Sequence, residues 1–245
     1  MRIGLLSDIH GNFVALEAVL ADMQRRGPLD GMVVAGDLVW EGPWPGEVVD
    51  RLKQSGAVVL AGNTDAFLAR RQDDPPEHKE PGSFAAHWQW LRQKLGPERI
   101  AYLLALPSSH RISPKPGHDL LVVHANPTDD ERYILPRMTE ADLDMLLGPV
   151  ETCDWEALAF GHMHVPFTRC WHDRLLVNVA SVGLPRDGDQ RAAYAILTWD
   201  GAAWQAELCR VMYELPVVVH EMRNCGLPRG KYLAERLVKA SYDVR

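Results

Sequence analysis

Arg2-Ile3-Gly4-Leu5-Leu6-Ser7-Asp8-Ile9-His10-Gly11-Asn12 opens the chain with a short apolar run that ends in a carboxylate and an imidazole two positions apart. Along extended backbone alternate residues face the same way. The run therefore predicts a buried strand that delivers Asp8 and His10 to one point at its C-terminal end. Gly11-Asn12 reads as a turn and a helix N-cap. Leu16, Val19, Leu20 and Met23 then follow at i, i+3, i+4 and i+7, one face of a helix that Gly27-Pro28 stops. A carboxylate and an imidazole delivered together look like half of a metal site, and the other strand ends are where a remaining half is expected.

The same rhythm recurs downstream. Met32 to Ala35 reads as a second buried strand ending in Gly36-Asp37, and Gly42-Pro43-Trp44-Pro45-Gly46 as a rigid loop before a helix carrying Val48, Val49 and Leu52. Ala57 to Leu60 is a third strand, ending in Gly62-Asn63-Thr64-Asp65. Strand, polar turn, helix, strand is the rhythm of βαβ units around a parallel sheet, in which ligands bind beyond the carboxyl ends of the strands. Residues of about 73–117 break the pattern. Asp73-Asp74-Pro75-Pro76 and Glu80-Pro81-Gly82 are loop-like, Ser83 caps a helix to Leu95, and Glu98 to Leu106 is a second helix. This stretch is expected as a helical insertion that covers the core within one domain spanning residues 1–245. Leu120 to Val123 restarts the strands and ends in His124, and Leu158 to Phe160 leads into Gly161-His162-Met163-His164. Thr139 is expected to cap a helix. Phe167 to Trp171, Leu175 to Val179, and Ala192 to Trp199 with its Asp200-Gly201 turn into Trp204 to Met212, read as an antiparallel second sheet. Two helices separated by Gly226-Leu227-Pro228 close the chain.

Composition narrows the function classes. Of 245 residues 47% are apolar, enough for a sizeable core, and the net charge is −7 with the basic residues scattered. That disfavours nucleic acid and an anionic membrane surface as partners, and leaves room for a small phosphoester whose charge a bound metal offsets. The four cysteines, Cys153, Cys170, Cys209 and Cys225, have no metal-type or framework spacing and are expected as free thiols. The N-terminal apolar run is too short for a signal peptide and no stretch is long enough to cross a bilayer, so the expected location is cytoplasmic.

Collected, the strand ends offer Asp8, His10, Asp37, Asn63, His124, His162 and His164. Each alone has an ordinary structural explanation. Seven nitrogen and oxygen donors without a cysteine, all at strand ends, suit divalent first-row metals such as Mn, Fe, Ni or Zn. In order and spacing, Asp8-Ile9-His10, Gly36-Asp37, Gly62-Asn63-Thr64-Asp65, His124 and Gly161-His162-Met163-His164 resemble the motifs of the calcineurin-like metallophosphoesterase superfamily. Ser181 to Asp189 is similar to its small bacterial and archaeal phosphodiesterases. The resemblance implies an α/β fold, a four-layer α-β-β-α sandwich of two mixed sheets, and two divalent metal ions. It places the first metal on Asp8, His10, Asp37 and His164 and the second on Asp37, Asn63, His124 and His162, with Asp37 bridging and Asp37, Asn63 and His124 central to catalysis. It implies hydrolysis of phosphodiester or phosphomonoester bonds by a metal-activated hydroxide, the substrate being a small phosphoester such as a nucleotide.

One position departs from the pattern. Many members carry His after the Asn, and this chain has Thr64, too weak an acid to replace it. Activated diesters are therefore expected to be preferred, and a catalytically weak or inactive metal-binding scaffold of the same fold is the alternative. Asp65 is expected to cap or to pair. Arg186 either meets a phosphate or pairs with Asp187 or Asp189 in its turn.

Overall fold

The structure, a computed structural model, describes residues 1–70 and 84–242. The loops expected over 73–82 and the Ser83 cap lie outside the described residues. In order, the elements are β1 (Arg2–Leu6), α1 (Phe13–Arg25), β2 (Gly31–Val34), α2 (Pro45–Gln54), β3 (Val58–Val59), α3 (Asn63–Arg70), α4 (Phe84–Leu104), β4 (Ser109–Ile112), β5 (Leu120–Val123), α5 (Glu140–Leu147), β6 (Ala157–Phe160), β7 (Phe167–Trp171), β8 (Arg174–Asn178), β9 (Ala192–Trp199), β10 (Trp204–Val211), α6 (Leu215–Asn224) and α7 (Gly230–Lys239). They form two five-stranded mixed sheets, ordered β10-β9-β1-β2-β3 and β4-β5-β6-β8-β7. β1, β2 and β3 run parallel, as do β5, β6 and β8.

The layering follows from side-chain alternation. In β1, Ile3 and Leu5 face the second sheet and pack with Leu120, Val122, Ala157, Ala159 and Val177. Leu6 faces the other way, into a core with Leu16, Val19 and Met23 of α1 and Val48, Val49 and Leu52 of α2. β2 repeats the division, Val33 inward and Val34 toward the helices. The outer face of the second sheet carries Leu158, Phe160 and Leu176 against Leu143, Leu146 and Leu147 of α5. Helix, sheet, sheet and helix are thus separated by three apolar layers.

Two sequence expectations change. The β9–β10 hairpin forms as read, but it joins the first sheet beside β1, in register Ile3↔Leu197, and is no part of the second. The second sheet is also not antiparallel throughout, since β8 pairs parallel with β6 while β7 folds back on β8. Short-range pattern marks a hairpin; which sheet accepts its edge is decided by distant packing. Within the span expected as a helical insertion, α4 breaks at Gly96 (φ 69°) just before Pro97, which separates the two helical stretches. Trp88, Leu91, Leu95, Ile100 and Leu103 bury its inner face over the first sheet. The span then ends in a strand, β4, whose Ile112 packs on the inter-sheet core. Asn12 and Thr139 cap α1 and α5 as expected, the latter with a reciprocal bond from Thr139 to Asp142. No described helix is long and apolar enough to cross a membrane.

Leu5, fully buried between the sheets at the centre of β1, tests this layering. Leu5→Ala should destabilise the chain by about 2–5 kcal/mol, read from the urea midpoint, because the surrounding β-layers collapse poorly onto a cavity.

Candidate metal centre

The parallel strands of both sheets end on the same side of the molecule, and their following turns meet there. Asp8 and His10 follow β1, Asp37 follows β2, Asn63 begins α3 after the short turn that leaves β3, His124 follows β5, and His162 and His164 follow β6. Asp8 and His10 converge, but not by strand alternation. β1 ends at Leu6, and Asp8 (φ 56°) and His10 (φ 49°) lie in left-handed conformations. Asp37 (φ 54°), His162 (φ 66°) and His164 (φ 61°) do too. Non-glycine residues rarely adopt this region, and such strain persists where the surroundings over-determine it. Here neighbouring backbone does so. Asp8 N and His10 N donate to Gly36 O and Asp37 O, and Val182 N and Gly183 N donate to Ser7 O and Asp8 O. Two glycines permit the close approach: a side chain on Gly161 would run into Ser7 Oγ and Asp8 Oδ2, and one on Gly62 into Asp37 Oδ1.

The donors fall into two groups that share Asp37. Asp8, His10, Asp37 and His164 form one, and Asp37, His124 and His162 the other, with the ligand atoms of each group within 4.8 Å of one another. His10 Nε2 lies 3.7 Å from Asp37 Oδ2, and His124 Nε2 lies 3.6 Å from Asp37 Oδ1, so the two carboxylate oxygens face different groups. Asn63 Oδ1 joins the second group, 3.0 Å from His124 Nε2. All seven residues expected from the sequence are therefore brought together.

Whether the groups suit cations is decided by where the imidazole protons sit. His10 Nδ1 bonds Trp40 O at 2.8 Å, His164 Nδ1 bonds Leu184 O at 2.6 Å, His124 Nδ1 bonds Ala35 O at 2.8 Å, and His162 Nε2 bonds Glu131 O at 2.8 Å. A carbonyl only accepts, so each of these nitrogens carries the ring hydrogen, and the opposite nitrogen of a neutral ring is a bare lone pair. Those bare nitrogens face each other, His10 to His164 at 3.1 Å and His124 to His162 at 3.2 Å. Asp8 Oδ1, buried and without a hydrogen bond, sits 3.0 Å from His164 Nε2. Facing acceptors at these distances repel unless positive charge lies between them. Ligand bonds of about 2.1 Å imply donor separations of about 3.0–3.4 Å in octahedral or tetrahedral geometry, which matches. A second hydrogen bond from each imidazole to a carbonyl is also the usual support of metal-ligating histidines.

Electrostatics follow the same lines. Burial opposes the Asp8 carboxylate, but His164, His124 and His10, whenever they take up a proton in place of a cation, outweigh it and hold its pKa well below the ordinary range. Burial, then neighbouring imidazole charge, lowers His10 and His162. Burial works against protonated His124 as well, yet Asp37 and Asp8 raise its pKa above the usual value.

Several supporting groups escaped the sequence. The four carbonyls that hold the imidazoles carry no residue-type signal. Thr64 donates its Oγ1 to Asp37 Oδ1 at 2.7 Å, so the residue that departs from the family motif clamps the shared carboxylate. Asp65 caps, as expected, accepting from Gly62 N at 3.0 Å and Leu38 N at 3.0 Å, and burial followed by the nearby Asp37 charge pushes its pKa to about 7. Tyr133 stacks on His162, ring centroids 4.5 Å apart. Arg186 is buried with its amide donating to His164 O at 3.0 Å, whereas the Asp187 and Asp189 carboxylates bind Arg210 and Arg191. His118 pairs with Glu156, and the four cysteines are free thiols.

A model of calcineurin-like phosphoesterases matches residues 1–166. The chain belongs to the calcineurin-like phosphoesterase family. A solved metallophosphoesterase from Sphaerobacter thermophilus is 31% identical, superposes with a TM-score of 0.79, and the match covers 98% of this chain and 99% of that one. A hypothetical protein from Pyrococcus horikoshii OT3 shares the fold at a TM-score of 0.81, with 22% identity over 98% of each chain. An uncharacterized protein of Methanocaldococcus jannaschii is 28% identical over 96% of both chains. This phosphoesterase thus shares its fold over nearly its full length, well past the matched motifs.

Two outcomes test the centre. With a raised pKa, His124 binds a proton more tightly when folded than when unfolded. Its contribution to metal-free stability is present in mild acid and lost as pH rises through the folded value. A cation must displace that proton. Manganese binding should therefore release protons near pH 6 and tighten toward pH 8, as calorimetry in buffers of different ionisation enthalpy would record. Thr64→Ala, which frees Asp37 Oδ1 of its hydroxyl partner, should weaken metal affinity about tenfold or more in the same titration.

Proposed function

We propose that this family member is a two-metal phosphoesterase acting as a single domain, with Asp8, His10, Asp37 and His164 holding one divalent cation and Asp37, Asn63, His124 and His162 the other. The observation that carries this is the pair of facing lone-pair groups on either side of Asp37, whose oxygens divide between them. Two cations sharing an anionic bridge offset their mutual repulsion through it. Manganese, iron, nickel and zinc all suit the donor set. Bound there, such a pair supplies charge for the phosphoryl oxygens and acidifies a water for attack on phosphorus.

The chain's own residues then set the substrate preference. The carbonyl-held imidazoles keep their bare nitrogens aimed at the centre, so little reorganisation accompanies the reaction. Thr64 spends its hydroxyl proton on Asp37 Oδ1 and has none to hand to a departing alcohol. Proton donation to the leaving group is worth about 10²–10⁴-fold, so esters whose alcohols leave unaided are favoured. Aryl phosphodiesters should be cleaved faster than alkyl phosphomonoesters, and small nucleotide diesters fall within the class.

The same Thr64 supports the second reading, a metal-binding scaffold that has kept the donors without the chemistry. A phosphoester panel run with manganese, nickel, zinc, iron and magnesium in turn separates the two. The enzyme reading expects turnover that is abolished in Asp37→Asn and His124→Ala while both variants keep the native circular-dichroism spectrum. Stoichiometric metal with no turnover across the panel would establish the scaffold.

A further inference from the structure

Beside His124 a cavity of about 380 Å³ opens between the end of α4, the first turns of α3 and the loop that follows β5. That volume is of the order that small-molecule sites use, about 300–1,000 Å³. Its walls differ in character. Ala66, Leu103 and Leu106 supply an apolar side, while Thr128, Asp129 and Asp130 supply a polar one. No lysine or arginine is among the described residues lining it.

The polar wall is built rigidly. Asn126, 5% exposed, accepts from Thr128 N, Thr128 Oγ1 and Asp129 N, each at 2.9 Å, and donates to Arg132 O at 2.9 Å. Asp129 Oδ1 in turn accepts from Glu131 N at 2.7 Å and Arg132 N at 3.2 Å. The same loop provides the Glu131 carbonyl that orients His162. One preorganised turn thus shapes the cavity and aims a donor of the metal centre, and His124 belongs to both. A phosphoryl group at the centre would have its ester substituent within reach of this cavity.

The lining chemistry says which substituent fits. Carboxylates accept hydrogen bonds from hydroxyls, as acidic residues do from ribose. They repel a second phosphate, and no cation among the described lining residues offsets that repulsion.

We propose that the cavity between α3, α4 and the 125–131 loop receives one ester group of the substrate, and that it selects an uncharged, hydroxyl-bearing alcohol of glycerol to nucleoside size over one carrying a further phosphate. The proposal rests on the phosphodiesterase function above. It identifies Asp130, the exposed neighbour of Asp129 at the cavity wall, as a specificity determinant.

The test uses three diesters with a common nitrophenyl leaving group and ethyl, glyceryl or phosphoglyceryl as the second ester group, on the manganese-loaded full chain. Glyceryl should exceed both others in kcat/KM by about tenfold, since a site built to bond hydroxyls rejects groups without them. Asp130→Lys, a change at an exposed position, should shrink or invert the glyceryl-to-phosphoglyceryl ratio. Equal turnover of all three esters, or a ratio the variant leaves unmoved, overturns the cavity assignment and leaves the phosphodiesterase function standing. If no ester turns over, that function fails instead, and calorimetry of the metal-loaded chain with glycerol phosphate and glycerol bisphosphate decides the cavity. Tighter binding of the monophosphate upholds the assignment, and equal or tighter binding of the bisphosphate overturns it.

Discussion

Bare imidazole nitrogens pressed toward one buried carboxylate are the constraint around which this protein is built. Left alone, His10 against His164 and His124 against His162 are repulsive contacts. The chain holds them by giving every opposite nitrogen a carbonyl, so that no ring relieves the repulsion by turning over its tautomer. The folded state thereby stores an affinity for positive charge, and protons and divalent cations compete for it.

Holding that arrangement needs a scaffold stiffer than a loop. The ligand turns leave two parallel strand sets whose ends are fixed by three apolar layers, and each turn is bonded to its neighbour's backbone. Five site residues take left-handed backbone, which costs of order 1–3 kcal/mol each where sterics oppose it. Ladders such as Asp8 N to Gly36 O and Gly183 N to Asp8 O leave those residues no relaxed alternative. Strain at the site and regularity beneath it are one design: the buried sheets supply the free energy that the turns consume.

Much of this was legible in the sequence, because the donors are unusual residue types at the ends of unusually apolar runs. Asp8, His10 and Asp37 each follow a strand that has little other reason to end in a charge. The geometry that joins them was less visible. Alternation predicted that Asp8 and His10 meet, and they do, but through left-handed turns that Asp and His rarely announce. The carbonyls of Trp40, Ala35, Glu131 and Leu184 had no signature, since every residue carries one. Thr64 stood out only as a missing histidine; that its hydroxyl seizes Asp37 depends on two strand ends lying side by side. The β9–β10 hairpin was plain from Asp200-Gly201, while its berth beside β1 depends on packing across the whole chain.

That berth shapes how the molecule is made. β1 pairs on one side with β2, which leaves the ribosome soon after it, and on the other with β9, separated from it by well over half of the chain. Throughout synthesis the open edge of β1 presents unpaired amides on an apolar strand, the kind of surface through which nascent chains associate. Pairing across so long a separation is also slow to find. The residues that will hold charge at the end of β1 are therefore translated long before the strand that closes its edge, and the chain depends during that interval on whatever shields an unfinished sheet.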